Sequence, residues 1–276
     1  TTVAGIAANV STVAGISANV TTVAGMESNI ASVVANMASI LNAASFGFPT
    51  LASGDEYKTL RINSAHTGYE AVNHYDRRNA MINGDMKIWQ RGTSFAAAAS
   101  GQYGPDQFIY LKQGTTAVHT MSQSTDVPTV AQCGRQIPYS TKLQCTTADA
   151  TVGTTDYLIF GQIIEGFNWE KYAQKPFIVG IWFKTAKTGT YGVYGINAGS
   201  DRTCVGTFTV SSANTWEFYT ITFPASPSAG TWDYTNGLGL QLYVVLHSGS
   251  SFHTTAGTWQ TGSYQTTSSQ VNAVDN

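Results

Sequence analysis

Residues 1–40 fall into successive tens: TTVAGIAANV, STVAGISANV, TTVAGMESNI and ASVVANMASI. Val3, Ile6, Val10, Val13, Ile16, Val20, Val23, Met26, Ile30, Val33, Met37 and Ile40 recur at steps of three and four. That spacing is the stripe of a helix, not the period of two that a strand needs. Ten residues in three turns is about 3.3 per turn, tighter than a heptad, so each unit overwinds a left-handed supercoil. Gly5, Gly15 and Gly25, with the many Val, Thr and Asn residues, make a poor isolated helix. The stripe therefore predicts burial against copies of itself. Val or Ile at every seam position, with almost no flanking charge, favours three parallel strands over two, although Val or Ile at only one of the two positions would allow a dimer. Asn9, Asn19 and Asn29 either pin the register between chains or lie in solvent. A threaded β fibre is the competing reading of the same residues. Gly47 and Pro49 are the expected stop signals, giving a helix over Thr1–Ala44, about 66 Å long.

Outward from this repeat, the whole chain of 276 residues is sparsely charged. It has 14 Lys+Arg and 16 Asp+Glu, a net charge of −2 and 11% charged residues, against about 25% in ordinary domains. Such a balance excludes the clustered cations of a nucleic-acid-binding protein. Thr, Ser, Asn, Gln and Gly supply the solubility, which suits an extracellular surface. The chain opens inside a running repeat and reads as a segment of a longer polypeptide. No unbroken apolar run reaches about 18 residues, and no basic–apolar–small leader appears, so membrane insertion is not expected. Cys133, Cys145 and Cys204 follow no metal spacing. Three free or buried thiols, or one Cys133–Cys145 bridge, are the readings.

Residues 46–80 change character. Pro49, Gly54 and Gly68 interrupt the chain. Tyr57, Leu60 and Ile62, then Tyr69 and Val72, read as a short β pair about a His66-Thr67-Gly68 turn. His66 and His74 have no companion ligands and read as solvated. From residue 81 onward, short apolar or alternating runs lie between polar turns. The expected strands are 86–90, 107–112, 117–122, 143–147, 156–164, 177–184, 189–197, 204–210, 217–223, 238–246 and 258–264. The fold class is therefore α+β, mainly β: an N-terminal trimeric α-helical coiled coil (1–45), a short β linker (46–80) and a jelly-roll or β-sandwich domain (81–276).

Two stretches carry a resemblance. Leu60-Arg61-Ile62-Asn63 with Thr67-Gly68-Tyr69-Glu70 resembles a linker that follows shaft repeats. Ile82-Asn83-Gly84-Asp85-Met86-Lys87-Ile88-Trp89-Gln90-Arg91-Gly92-Thr93-Ser94 resembles the opening of fibre-tip domains in tailed-bacteriophage tail-fibre proteins. Tyr103-Gly104-Pro105-Asp106-Gln107-Phe108 matches a second element of that pattern with its Arg and Trp replaced. Ile164-Glu165-Gly166, Ile181–Lys184, Trp216 and Gly237–Leu240 extend the likeness, which covers about Leu60 to the end. It implies a homotrimeric fibre in the virion, assembled in the host cytoplasm. Its β domain would resemble carbohydrate-binding modules, with the usual closing strand missing. It also implies host-surface glycan as a partner and attachment to other tail proteins.

No nucleophile elbow, P-loop, dinucleotide fingerprint or paired-His metal motif occurs. Neither a cofactor nor a metal is expected. Glu165 and Glu170 are the nearest carboxylate pair that could cleave a glycan, but their loop context argues against it. No enzyme activity is expected. Aromatic residues reach 12%. Sugars stack their C–H faces on flat rings while polar side chains hold the hydroxyls. Trp89, Trp182 and Trp216 lie in or beside strands and read as packing residues. Trp232, Tyr234, Phe252, His253 and Trp259, with Asp233 and Asn236, are the expected ligand-binding set. A purely structural fibre and a polysaccharide depolymerase are the rival functions.

Overall fold

A computed structural model describes residues 2–45, 58–62, 65, 67–73 and 79–274. The chain divides into two units, Thr1–Arg78 and Asn79–Asn276.

The first unit opens with α1 (Thr2–Ser45), a single helix, as the spacing predicts. Its hydroxyl residues are accommodated by back-bonding. Thr12 Oγ1 donates to the Ala8 carbonyl, and Thr21, Thr22 and Ser32 do the same one turn back, each at 3.0 Å. Gly47 and Pro49 lie outside the described residues. Every side chain from 2 to 37 is exposed. The stripe residues range from 52% exposed at Met26 to 80% at Val3. Ten residues at about 100° each fall about 80° short of three turns. The stripe therefore winds around the helix instead of staying on one side.

No unbroken apolar run exists, yet within Thr2–Met37 an 18-residue window reaches a mean hydropathy of 1.4, so the helix is long and apolar enough to cross a membrane by length and composition alone. Glu27 is its single charged residue, so scattered Gly, Thr and Asn dilute but do not erase the apolar character.

β1 (Lys58–Ile62) and β2 (Tyr69–Asn73) form the expected antiparallel pair, with Ile62 opposite Tyr69 and Leu60 opposite Ala71. Tyr57, His66 and His74 lie outside the described residues.

The second unit contains β3 (Ser94–Phe95), β4 (Gln102–Tyr103), β5 (Phe108–Gln113), β6 (Val118–Ser124), β7 (Ser140–Thr147) and β8 (Tyr157–Glu165). It continues with β9 (Phe177–Phe183), β10 (Gly189–Asn197), β11 (Arg202–Val210), β12 (Glu217–Phe223), β13 (Leu238–Ser248) and β14 (Trp259–Thr261). Two single-turn helices, α2 (Val130–Cys133) and α3 (Gly166–Trp169), interrupt them. The large sheet has the order β14-β11-β10-β13-β8-β5-β4. Two smaller sheets, β12-β9 and β3-β6-β7, accompany it.

The core explains the layering. Tyr191, Val193, Phe208, Val210 and Leu242 of the large sheet pack with Ile221 and Phe223 of β12, and with Phe177, Val179, Ile181 and Phe183 of β9. Tyr110 and Leu158 pack with Met121 and Leu143 of the three-stranded sheet. The small sheets thus cover one face of the large one, a sandwich-like arrangement. Alternate residues Ile159, Tyr194, Ile196, Val205, Tyr243 and Val245 form a second core with Ala256 and Tyr264. Both faces of the large sheet are therefore buried, and β10 reads as a run of buried residues, not an alternation.

Met86–Gln90 is not a strand. Asn83 and Met86 adopt left-handed backbone, with φ of 57° and 53°. The Asn83 side chain holds the turn. Its Oδ1 accepts from the Lys87 and Ile88 N–H groups at 3.0 and 2.9 Å, while Nδ2 donates to the carbonyls of Ile88 (2.9 Å) and Asp106 (3.1 Å). The Asp106 N–H returns to the Ile88 carbonyl at 2.9 Å. So the 82–94 and 103–108 stretches are bonded into one element. Gln162 anchors it from β8: its Oε1 accepts from Ile82 N–H at 2.8 Å and its Nε2 donates to Ile82 O at 2.7 Å.

Candidate aromatic binding surface

The aromatic surface starts from two close backbone approaches. A Cβ on Gly166 would meet the Thr235 nitrogen at 2.5 Å, and one on Gly239 would meet Trp169 Cβ at 2.6 Å. With no side chain at either place, the 232–237 loop docks directly on α3. Gly166 N–H donates to Gly237 O at 2.9 Å and Phe167 N–H to Thr235 O at 2.8 Å. Trp169 is consequently driven inside, 1% exposed. Its Nε1 has no acceptor among the described residues.

Trp232 stacks on that buried ring at 5.8 Å and 18°, and Trp259 meets Trp232 edge-on at 5.6 Å and 71°. Both outer rings are half-buried. Their N–H groups are used internally: Trp232 Nε1 donates to Ala229 O at 3.1 Å and Trp259 Nε1 to Pro224 O at 2.9 Å. Tyr234 packs against the same cluster. The surface is an aromatic wall whose polar groups come from the loop. Asp233 Oδ1 accepts from the Thr235 N–H at 2.6 Å and its hydroxyl at 2.7 Å, and these bonds hold the carboxylate below its ordinary range. Asn236 is exposed beside it in sequence.

The structure brings Trp232, Tyr234 and Trp259 together, with Asp233 and Asn236 on the loop between them. It does not bring His253 or Phe252 there. The Trp232 loop precedes the start of β13, whereas Phe252 and His253 follow its far end. An 11-residue strand spans about 37 Å. Phe252 instead meets Tyr157 edge-on at 5.7 Å, and His253 Nε2 bonds to Ser248 O at 3.1 Å.

Trp89 is a packing residue, as expected. Trp182 is not: it lies on the outer side of β9, opposite the inward set Phe177, Val179, Ile181 and Phe183. Both parities of that strand are apolar, so its alternation could not be read as one buried and one open face.

The rest of the titratable chemistry is dispersed. Glu165 and Glu170 cap the two ends of α3 and are exposed. The cysteines are all free. Cys204 is buried, which pushes its thiol up to about 12. Tyr110 hydroxyl and His119 Nδ1 form a buried pair at 3.1 Å. Among the described residues no group of three or more His, Cys, Asp or Glu side chains could hold a metal ion. Comparison with protein-family models, curated proteins and solved structures found no match.

Proposed function

We propose that this chain is a homotrimeric fibre segment of a bacteriophage tail, with α1 as a coiled-coil shaft. Its jelly-roll-like β domain recognises a host-surface glycan during adsorption. The observation that carries the reading is the apolar stripe of α1, exposed along its described length. Apolar surface of that extent is favourable only when removed from water, at roughly 25 cal/mol per Å². Val and Ile at most seam positions suit three strands, and Val3 to Ile30 would meet their counterparts on one axis. The bonded element of residues 82–94 and 103–108, the part of the chain that resembles fibre tips, supports the context. The wall of Trp232, Tyr234 and Trp259 offers stacking surface, with Asp233 and Asn236 beside it for hydroxyls. Three weak sites displayed together would bind strongly through avidity.

Binding of the full chain to lipopolysaccharide, capsular polysaccharide and peptidoglycan preparations tests this function. Trp232→Ala is expected to weaken retention on the bound preparation about tenfold while the trimer persists in sedimentation. Trp232→Phe, which keeps a ring on Trp169, is expected to retain most of it. Unchanged retention by Trp232→Ala would remove the wall from the binding surface.

A further inference from the structure

The outer face of the β9–β12 sheet carries a second set of rings, with Phe218 exposed and Trp182 and Trp216 half-buried. Ile178, Gly180 and Trp182 alternate outward on β9, and Phe218, Thr220 and Thr222 on β12, with Phe218 opposite Trp182 and Thr220 opposite Gly180. Ile178 is 67% exposed and Phe218 is 52% exposed. Gly180 shapes the surface. A Cβ there would meet Phe218 Cζ at 2.8 Å, so the ring leans diagonally across the glycine and lies along the sheet. Its centroid is 5.2 Å from that of Trp182.

At one end the apolar surface meets a fixed polar group. Trp216 and Lys184 continue the two outward rows by one step. Trp216 Nε1 donates to Asp126 Oδ1 at 2.8 Å, and Lys184 Nζ donates to Asp126 Oδ2 at 2.6 Å. The loop that carries Asp126 runs on through Val127, Pro128 and Thr129 into the wall of an open cleft of about 440 Å³. Gln132 of α2 ties that loop back, donating to Trp216 O at 3.5 Å.

We infer that Trp182, Phe218 and Trp216, with the Asp126–Lys184 pair at their edge, form a binding site for a short neutral oligosaccharide. Size argues for this occupant. Two strands of seven residues offer roughly 24 by 10 Å, about 240 Å², against about 800 Å² per partner in a stable protein complex. Composition agrees. Lys184 and Asp126 neutralise one another, Lys142 also acts on Asp126 through its charge, and the sheet face itself offers the Thr220 and Thr222 hydroxyls. That is a flat ring surface with few placed polar groups, the pattern that suits pyranose C–H faces and hydroxyls. The site is separate from the Trp232 wall and shares with the proposed function only the chemical class of the ligand.

Ligand-observed saturation-transfer NMR on the full chain tests it, with cellobiose, lactose and chitobiose as probes, because the reporter is then the sugar and not a protein ring. At least one disaccharide is expected to bind. Trp182→Ala and Phe218→Ala are each expected to weaken that binding about tenfold, with Trp182→Phe restoring it. Phe218 is a surface residue, so Phe218→Ala keeps the test meaningful if Trp182→Ala unfolds. Equal binding by the wild type and the Phe218→Ala protein, or no binding of any probe, would overturn the inference. So would a Phe218→Asp protein that loses only self-association, since the face would then join copies of the chain. Loss confined to Trp232→Ala would end this inference and leave host recognition standing. Sugar binding through Trp182 without adsorption to any envelope preparation would do the reverse.

Discussion

Asn83 shows how much one side chain can organise. Its amide makes four hydrogen bonds to backbone groups of two segments, in a left-handed conformation that Asn tolerates better than most residues. Asn83→Ala removes all four and strains the turn. We expect a loss of about 2–4 kcal/mol in stability, read from the urea midpoint. His119 sets a different dependence. Burial, reinforced by the Lys112 ammonium, pushes it down to about 4 from an ordinary 6.5. As pH falls below about 6.5, the unfolded chain takes up a proton that the folded chain refuses. Stability is therefore full above that value and declines toward pH 4. A urea midpoint that falls across this window, with a flatter profile for His119→Gln, is the expected result. The motif around Asn83 was legible in the sequence as a pattern, but its reason was not. Met86 and Ile88 mimic a strand's alternation, and only the amide's reach to Asp106 turns them into a loop.

For whole elements, α1 tests the seam directly. In the proposed trimer, Val13→Asp would set three carboxylates on one apolar axis, where each unpaired charge carries a penalty of several kcal/mol. Sedimentation is expected to show monomers for Val13→Asp and an intact trimer for Ser11→Asp, off the stripe. The alternative raised by the helix's apolar length has its own signature: a chain that partitions into lipid vesicles and whose oligomeric state ignores Val13→Asp. The helix was readable because steps of three and four cannot be confused with a period of two. The central strands were readable because turns punctuate them, and 189–197 and 217–223 match β10 and β12 residue for residue. The two-residue strands β3 and β4 carry too little pattern to be seen. The aromatic wall was half legible. Trp232 and Trp259 stood out as loop rings, but Trp169 beneath them and Trp182 on the opposite layer depend on strand pairing that only the fold reveals.

Over the whole molecule, sparse charge becomes a functional property. With a net charge of −2 and 11% charged residues, surface attraction contributes little that salt could screen. Retention on a glycan-bearing preparation is expected to change less than about twofold between 0.05 and 0.5 M NaCl, measured as bound fraction at fixed protein concentration. A basic surface would lose orders of magnitude over the same range.

The winding of the α1 stripe sets a rule for how such a chain can change length. Each decad adds about 15 Å and advances the stripe by the same fixed angle. In the proposed trimer, insertion or loss of a whole unit therefore keeps apolar residues on the common axis, whereas a shift of five residues would throw them out of phase. A shaft of that kind can lengthen or shorten only in quanta, so on that proposal the repeat would be a ruler as much as a glue.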